Sequence, residues 1–383
     1  MTDYVPSITR DGQFSPLVLG KLAETFPLRT ENQTTLSVYA GARTHRWESP
    51  TYYAEATALT SFREIIARGL RGENLELVCI GDSKTEGSGL TGAQAGVVGR
   101  WAWPSQLRRM VGASTGLIVA NVAAGDNRWA VVNMTRSTAS RCAVVPVTPG
   151  TPAQTKSAQL TTTEAHTGAR IYAQSAAGAT LTVTIDGATS SWVLPAATGW
   201  SERVVTGLAN TTHVIKVEST GDFDLMGVAL DYPTPRLKIT RAGRASSTAT
   251  DWNATTADGL WASTVSGAAT HPDALIVHLG TNDPTNTAAI TAVYARAAAL
   301  GIPVLCVSPG GLGGLSAYAT YDAAKGAIYN AADANGFPLI DFEKVIGDYT
   351  TANAAGLMGD TVHENANGYA LEATAMARLI NLS

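Results

Sequence analysis

The chain is poor in cysteine, in charged residues and in uninterrupted apolar sequence, and each shortage excludes a class of protein. Three cysteines in 383 residues, Cys79, Cys142 and Cys306, are too few and too scattered for a disulfide framework or a zinc site. No run of about 18 consecutive apolar residues occurs, so no membrane-spanning helix is predicted. Charged residues make up 15% of the chain, the formal net charge is −4, and no basic block is present, which argues against a nucleic-acid-binding protein.

What remains is the composition of a globular protein, with 45% hydrophobic residues and 37 glycines. The length allows two domains and a sizeable core. Residues 1–20 lack a basic start followed by an apolar run, so we predict no secretory signal and expect synthesis in a reducing cytoplasm. Cys79 and Cys306 lie inside apolar runs, and we expect both to be buried thiols.

Two kinds of sequence alternate along the chain. Residues 1–52 show no sustained period and are interpreted as an extended lead-in or attachment segment. Residues 53–112 begin with a helical pattern, continue with the apolar strand LELVCIG and end in a second helix. From residue 236 to residue 383 apolar strands again alternate with helices, one of which we expect over residues 251–267. This order predicts one α/β domain, a three-layer α/β/α structure with a parallel sheet.

Residues 113–235 have a different pattern. Period-two runs such as TLTVTID and HVIKVES are separated by turn signals such as Asp186-Gly187. We interpret this segment as an antiparallel β-sandwich domain of carbohydrate-binding type, inserted into the α/β domain and separable from it.

Polar residues that can perform chemistry follow two of the predicted strands. Ser83, in Gly81-Asp82-Ser83, comes directly after LELVCIG, and in open parallel sheets ligands bind outside the carboxyl ends of the strands. The tripeptide alone is weak evidence, since it is also typical of a helix N-cap. Asn282 follows the strand DALIVHLG and can supply an amide donor, although Asn and Asp before Pro284 are also typical of a plain turn.

A serine nucleophile needs a base, and the base needs a partner that fixes its tautomer. Asp360 and His363, three residues apart before the last predicted helix, can bond to each other and present one imidazole nitrogen to Ser83. We expect His278, in an apolar strand, to be a core histidine with its bonds satisfied. The other histidines are expected on the surface or in turns: His45, His166, His213 and His271.

The segments GDSKTEG, GTND and DTVHENANGY, in this order and in these contexts, resemble the SGNH hydrolases, the GDSL-like esterase superfamily, whose fold is flavodoxin-like. The resemblance implies Ser83 as nucleophile, His363 as general base and Asp360 as the carboxylate that orients it. It further implies an oxyanion hole formed by Asn282 and two backbone amides, of Ser83 and of a residue after the second strand. Neither a cofactor nor a metal is implied.

Two segments compete for the second backbone amide. Gly125 has the right local sequence but is followed by strand-like residues. Residues 242–248 follow a strand and precede a helix, which favours Ser246 at the position where the family has glycine, with Gly243 as the alternative in the same segment. Any residue but proline has the necessary N–H, although a glycine-specific φ would strain serine.

The arrangement as a whole resembles phage tail-associated SGNH esterases. The resemblance implies hydrolysis of acyl esters, O-acetyl groups above all, on bacterial surface polysaccharide, with other tail proteins as partners and neither nucleic acid nor membrane involved. Trp101, Asp283 and Gly311 are the candidate substrate contacts. The alternatives are a cytosolic esterase or thioesterase for small substrates, and a non-catalytic glycan-binding tail protein. No feature of the sequence specifies an oligomeric state.

Overall fold

The computed structural model describes a parallel sheet and two antiparallel sheets between residues 52 and 380. The described residues are 52–53, 56–90, 98–120, 128–137, 143–147, 154–256, 259–266, 270–310, 313 and 318–380. The predicted lead-in therefore lies outside them, apart from Tyr52.

The strands and helices are numbered in chain order. The strands are β1 (Tyr52–Tyr53), β2 (Leu75–Gly81), β3 (Ser114–Thr115), β4 (Leu117–Val119), β5 (Trp129–Val132), β6 (Met134–Arg136), β7 (Val144–Pro146), β8 (Lys156–Thr161), β9 (Gly168–Ser175), β10 (Ala179–Ile185), β11 (Ala188–Leu194), β12 (Ala197–Val205), β13 (Val214–Ser219), β14 (Asp224–Asp231), β15 (Leu237–Gly243), β16 (Ala274–His278), β17 (Val304–Ser308) and β18 (Leu339–Asp341). The helices are α1 (Ala56–Leu70), α2 (Ser83–Glu86), α3 (Val98–Trp101), α4 (Trp103–Met110), α5 (Ala249–Asn253), α6 (Leu260–Thr264), α7 (Thr287–Ala298), α8 (Tyr318–Asn335), α9 (Phe342–Ile346), α10 (Tyr349–Ala354) and α11 (Ala366–Ile380).

The central sheet has the order β1-β18-β17-β16-β2-β15-β3. All its strands are parallel except β1, which pairs antiparallel with β18 at the edge. Counted in chain order, the five longer parallel strands have the order 2-1-3-4-5, and the switch point of such a sheet lies between its first and third strands, here β2 and β16. Gly81 pairs with both Gly243 and His278, so β2, β15 and β16 end at one level. The loops that follow these strands meet at this switch point.

Apolar side chains cover both faces of the parallel sheet, as its fully buried strands require. One face packs against α1, α4, α9 and α11, with Phe62, Trp103 and Tyr369 fully buried. The opposite face packs against α5 to α8, with Trp252 and Ile290 fully buried. The predicted three-layer α/β/α architecture is confirmed.

Two antiparallel sheets form the segment between β3 and β15. One has the order β11-β10-β13-β8-β5, and the other has the order β12-β9-β14-β7-β6 with β4 beside β14. Side chains of both sheets, among them Leu181, Val217 and Ile171, share one buried core, as in a β-sandwich.

This antiparallel region is continuous with the parallel one. Leu117, Val119, Tyr172 and Met226 belong to its strands β4, β9 and β14, yet they are buried in the core that lies on the second face of the parallel sheet. The segment Ser114–Thr115, which we assigned to the insertion, pairs parallel with β15 at the edge of the central sheet. The antiparallel region therefore packs on the parallel region through a shared core, and its separability stays a prediction.

Three local expectations are wrong. The single helix expected over residues 251–267 is two short helices, because a capping box between Thr248 and Asp251 starts α5 early and the extended backbone of Ala254 ends it. His166 and His213 are buried, with ring centroids 4.7 Å apart. His278 is buried as expected, but only its Nδ1 has a partner, the hydroxyl of Thr85.

The two described cysteines, Cys79 and Cys306, are free and buried as predicted, and burial raises the pKa of both thiols. Among the described helices, none combines the length and hydropathy that a transmembrane span needs.

Candidate active site

Ser83 is the first residue of the single-turn helix α2, which follows β2 after a sharp turn at Asp82. Asp82 caps this helix by accepting a hydrogen bond from the N–H of Lys84 at 3.0 Å, and Gly87 ends it in the left-handed conformation, with φ 98°. Gly81 is required where the chain reverses, because a Cβ there would lie 2.4 Å from the carbonyl oxygen of His278. The turn therefore fixes Ser83 at the carboxyl edge of the sheet, with 5% of its surface exposed.

Asp360 and His363 lie in the loop before α11, which is called the base loop from here on (residues 359–365). One carboxylate oxygen of Asp360, Oδ1, accepts hydrogen bonds from the N–H groups of Val362 and His363, each at 2.7 Å. The other, Oδ2, lies 2.8 Å from His363 Nδ1. Since an ionised carboxylate can only accept, Nδ1 carries a proton and donates to Asp360.

The pKa of Asp360 reflects these contacts. Burial raises it, but the hydrogen bonds from the His363 ring and from two backbone N–H groups outweigh burial, and the net pKa is lowered. Asp360 is therefore a carboxylate at neutral pH and fixes the tautomer of His363.

The structure brings Ser83 to the base loop. His363 Nε2 lies 2.9 Å from Ser83 Oγ, although the two residues are 280 positions apart in the chain. Because Nδ1 is protonated, the lone pair of Nε2 accepts the hydrogen bond from the Ser83 hydroxyl. Ser83, His363 and Asp360 thus form one hydrogen-bonded chain in which the imidazole can take the serine proton.

The loop after β15 (residues 243–247) packs against the turn of Ser83. The N–H of Arg244 donates to the carbonyl oxygen of Gly81 at 3.0 Å, and a Cβ on Gly243 would lie 2.2 Å from the backbone nitrogen of Glu86. Ser246 is exposed and has φ 62°, in the left-handed region where glycine is favoured. Of the two candidates in this loop, Ser246 is the one accessible from solvent, whereas Gly243 is buried as the last residue of its strand.

Asn282 lies next to the same loop. Its Nδ2 donates to the carbonyl oxygen of Ser247 at 2.9 Å, which leaves the second hydrogen of the amide for another acceptor. The side chain is exposed, at the end of the loop that follows β16.

Asp283, which we predicted as a substrate contact, bonds the start of α5, and its role toward substrate stays a prediction. Its Oδ2 accepts the N–H of Ala249, the first residue of α5, at 2.9 Å, and burial raises its pKa. The carboxylate of Asp283 therefore contacts the first residue of α5 and stabilises the start of that helix.

The remaining predicted site residues are placed as follows. Trp101 is half-buried, and the Arg100 guanidinium lies 5.3 Å from the centroid of its ring. The side-chain amide of Gln106 donates hydrogen bonds to the carbonyl oxygens of Trp101 and of Ala366, the first residue of α11. Gly125 and Gly311 lie outside the described residues. Within the described part of the chain, no group of three or more His, Cys, Asp or Glu side chains is arranged to hold a metal ion.

Sequence reasoning missed an ion pair directly beneath this site. Lys84 Nζ lies 2.5 Å from Glu364 Oε1, and neither side chain has any exposed surface. The available signal was a lysine next to the serine and a glutamate next to the histidine, but charged residues at such positions are usually solvated.

Residues 227–371 match the GDSL-like Lipase/Acylhydrolase family. The matched range includes Asn282, Asp360 and His363 and does not include Ser83. No curated protein matches the chain.

Several solved structures are similar. One described as "Peptidoglycan O-acetylesterase in action" is 15% identical, with a TM-score of 0.62, over 87% of this chain and 100% of that one. A family two carbohydrate esterase from Clostridium thermocellum in complex with cellohexaose is 11% identical over 69% of this chain and 98% of its own, with a TM-score of 0.28. An acetylxylan esterase from Geobacillus stearothermophilus is 17% identical over 39% and 74%, with a TM-score of 0.32. The first of these likenesses shows a shared fold.

Proposed function

We propose that the protein is a serine esterase of the SGNH type, which removes acyl groups, and acetyl groups above all, from hydroxyls of a bacterial surface glycan. One observation carries the reaction type: His363 Nε2 lies 2.9 Å from Ser83 Oγ while its Nδ1 lies 2.8 Å from Asp360. An imidazole held between a serine hydroxyl and a carboxylate is the arrangement that activates serine for acyl transfer.

In the first half of the reaction, Ser83 Oγ attacks the ester carbonyl carbon and its proton passes to His363 Nε2. The tetrahedral intermediate then collapses, the bond to the sugar oxygen breaks, and His363 returns the proton to the departing hydroxyl. The products of this half are a free sugar hydroxyl and an acylated Ser83. The negative charge of Asp360 stabilises the imidazolium that exists between the two proton transfers.

In the second half, water attacks the acyl group and gives its proton to His363. The carboxylic acid leaves and Ser83 regains its hydrogen. The net reaction consumes one ester and one water and yields one acid and one alcohol, so the described residues suffice for it.

The developing oxyanion needs donors that are already in place. We assign them to the N–H of Ser83, the N–H of Ser246 and the second hydrogen of Asn282 Nδ2. The link from Asn282 to the Ser247 carbonyl supports this assignment, because it places the amide beside the loop that carries Ser246.

Two likenesses support the proposed substrate class. The solved structure that shares the fold is described as a peptidoglycan O-acetylesterase. Phage tail-associated SGNH esterases, which the sequence resembles, act on the cell surface. These likenesses support our proposal of an acylated bacterial glycan as substrate and of a place in a phage tail beside other tail proteins.

Replacing Ser83 by alanine tests the reaction type. We expect Ser83→Ala to lower the rate of p-nitrophenyl acetate hydrolysis on the order of 10⁴-fold or more, because no other group can form the acyl-enzyme. Circular dichroism and thermal unfolding should match the wild type. More than a few per cent of residual activity in a folded variant would contradict the assignment of Ser83.

Mass spectrometry tests the substrate class. Peptidoglycan and O-acetylated capsular polysaccharide, each treated with the wild type and with Ser83→Ala, should differ by the mass of acetyl groups in at least one case. Hydrolysis of small esters or thioesters without any change in either polymer would favour a small-substrate esterase. Tight binding of a polymer without hydrolysis by the wild type would favour a non-catalytic glycan-binding protein.

A further inference from the structure

Two consecutive residues after β2 bond two consecutive residues of the base loop. Ser83 contacts His363 at 2.9 Å, and Lys84 contacts Glu364 at 2.5 Å, with 280 positions between the partners in both cases. The second contact lies directly behind the first, in the interior of the protein. The contact of Lys84 with Glu364 joins two oppositely charged side chains, and neither of them is exposed to solvent.

Stability alone is a poor explanation for a fully buried ion pair. Removing a lysine and a carboxylate from water has a large free-energy cost, and their attraction recovers this cost only in good geometry. Well-packed apolar side chains in the same place are often as stabilising as the pair or more so. The geometry supports another explanation for the ion pair, namely that it positions the adjacent residues Ser83 and His363.

The surroundings of the pair leave the base loop little freedom. A Cβ on Gly89 would lie 2.3 Å from His363 Cβ, and a Cβ on Gly310 would lie 2.9 Å from Glu364 Oε1. The side chain of Glu364 is therefore enclosed next to the residue that carries the imidazole. A displacement of Glu364 has to displace His363 as well.

Two further buried acidic side chains, Asp82 and Glu372, interact electrostatically with Lys84. Glu372, on α11, is fully buried and interacts electrostatically with Glu364 and Lys84. Burial first, and the charge of Glu364 next, raise its pKa well above the usual range. The carboxylate that bonds Lys84 is that of Glu364, whose Oε1 lies 2.5 Å from Lys84 Nζ.

We propose that Lys84 and Glu364 are positioning residues, which hold His363 Nε2 at bonding distance from Ser83 Oγ. The proposal rests on the proposed function in so far as Ser83 is the nucleophile. It predicts that the pair contributes to turnover and little to substrate binding, since neither side chain reaches the surface at which substrate binds.

Three variants and one control test the proposal in the full chain. Lys84→Met leaves the Glu364 charge unpaired, Glu364→Gln keeps an acceptor for Lys84, and the double variant Lys84→Met/Glu364→Leu makes the pair apolar. Lys325→Met is the matched control, because Lys325, on α8, is also buried and pairs with the buried Asp341 at 3.3 Å and with Glu343. For each variant kcat, KM and Tm are measured with p-nitrophenyl acetate as substrate.

The double variant is the decisive one. We expect it to keep or exceed the Tm of the wild type, as buried apolar replacements often do, and to lose about 10²-fold in kcat with KM nearly unchanged, as small misplacements of reacting groups do. Glu364→Gln should lose less, about tenfold, because its amide oxygen still accepts from Lys84. Lys325→Met should lower Tm without lowering kcat. Wild-type kcat in the stable double variant, or an equal loss of kcat in Lys325→Met, would overturn the proposal.

A second readout does not depend on catalysis. The ¹⁵N chemical shift of His363 Nε2 reports the hydrogen bond from Ser83, and it should differ between the wild type and Ser83→Ala. In the double variant we expect the shift to move to the Ser83→Ala value, and a wild-type shift there would overturn the proposal. If the wild type hydrolyses no ester while this shift still responds, the proposed function fails and the positioning role stands.

Discussion

The parallel and the antiparallel region each contain a histidine bonded to an aspartate, and only one of these pairs can act as a base. His363 Nδ1 lies 2.8 Å from Asp360 and its Nε2 faces the Ser83 hydroxyl. His213 Nδ1 lies 2.5 Å from Asp186, but its Nε2 lies 2.8 Å from the carbonyl oxygen of Ala209. A carbonyl oxygen accepts and never donates, so both nitrogens of His213 carry protons.

The environment of His213 agrees with a cationic ring. Burial lowers its pKa, but the hydrogen bonds to Asp186 and Ala209 outweigh burial, and the net pKa is raised. An imidazolium has no lone pair with which to take a proton. The comparison teaches that a histidine–aspartate pair does not define a base, since the group that faces the second nitrogen decides its chemistry.

The two aspartates also reach their histidines by different local structures. Asp186 and Gly187 both have positive φ, 49° and 89°, and connect β10 to β11 as the tight turn of a hairpin. Asp360 lies in a loop that follows α10 and runs along the carboxyl edge of the parallel sheet. The first position follows from turn geometry, whereas the second places the pair where three strands end together.

The largest effect that distinguishes the two pairs should come from Asp360→Asn. Without the carboxylate His363 can adopt the wrong tautomer, and we expect kcat to fall about 10³- to 10⁴-fold. Loss of the negative charge also removes the stabilisation of the imidazolium that forms during the reaction, which adds to the loss of kcat. Rates measured from pH 4 to pH 9 check that kcat falls throughout this range.

Asp186→Asn is the matched control for this experiment and should leave kcat unchanged. Asp348→Asn is a second control, since Asp348 only caps α10 through the N–H of Thr351 at 2.8 Å. An unchanged profile in Asp360→Asn would mean that Ser83 and His363 act as a dyad.

Asn282→Ala should have the next largest effect and tests whether the chemistry belongs to the parallel region. Removal of one oxyanion donor typically lowers kcat about 10²- to 10³-fold. Asp283→Asn, next to it, should lower stability alone, because its carboxylate bonds the start of α5. Full activity of Asn282→Ala would remove Asn282 from the proposed oxyanion hole.

Met226→Ala tests how far the two regions are separate. Met226 belongs to β14 of the antiparallel region but is buried in the core on the parallel sheet, so the truncation should cost about 2–5 kcal/mol. We expect esterase activity and tryptophan fluorescence to be lost at one reduced temperature. Val217→Ala, in the core between the antiparallel sheets, should behave in the same way.

Two separate transitions in Met226→Ala, with activity retained after the first, would instead support the separable domain that the sequence suggested. In that case a short linker in place of residues 113–235 should leave small-ester hydrolysis intact. With the shared core, the same deletion should abolish folding.

The smallest expected effect is the change in the free energy of unfolding caused by Asp186→Asn. The folded pKa of His213 is raised, so its contribution is fully present below about pH 6.5, its unfolded value, and is lost as pH rises through the folded value. The pKa of Asp186 is lowered, by the N–H of Val214 and then by His213, so its own contribution requires a pH above about 4. Between these two pH limits the free energy of unfolding of the variant should therefore be lower than that of the wild type by at most about 1 kcal/mol. The effect is small because the pair is partly exposed. An equal loss at pH 9 would contradict a charge-based contribution.

Much of the parallel region could be predicted from its sequence. Strands such as LELVCIG are apolar throughout, which specifies a sheet covered on both faces, and the polar residues after them had to meet at one edge. The contact of Ser83 with His363 required only that the last helix lie beside this edge. The α5–α6 break was missed because its cause is a capping box, which begins the helix two residues before the expected start.

The position of the antiparallel region was harder to predict, although one signal was present. The five-stranded sheet alternates buried and less buried residues, as in β10 and β13, which is typical of one covered face. In β9 and β14 the alternation is lost, because the six-stranded sheet packs against the five-stranded sheet on one side and the parallel region on the other. The ion pair of Lys84 with Glu364 depends on tertiary contacts across 280 positions, which no local pattern encodes.

That separation of 280 positions has a kinetic consequence. The entropy of closing a loop grows only with the logarithm of its length, so each doubling costs about 0.6 kcal/mol and the distant partners weaken the native state little. Contacts between distant segments nevertheless slow folding, because the intervening chain has to be ordered before they form. The contact of Ser83 with His363 can form only when β2 and the base loop have both reached the same sheet edge. Recovery of esterase activity after dilution from denaturant is therefore a stricter measure of complete refolding than recovery of fluorescence.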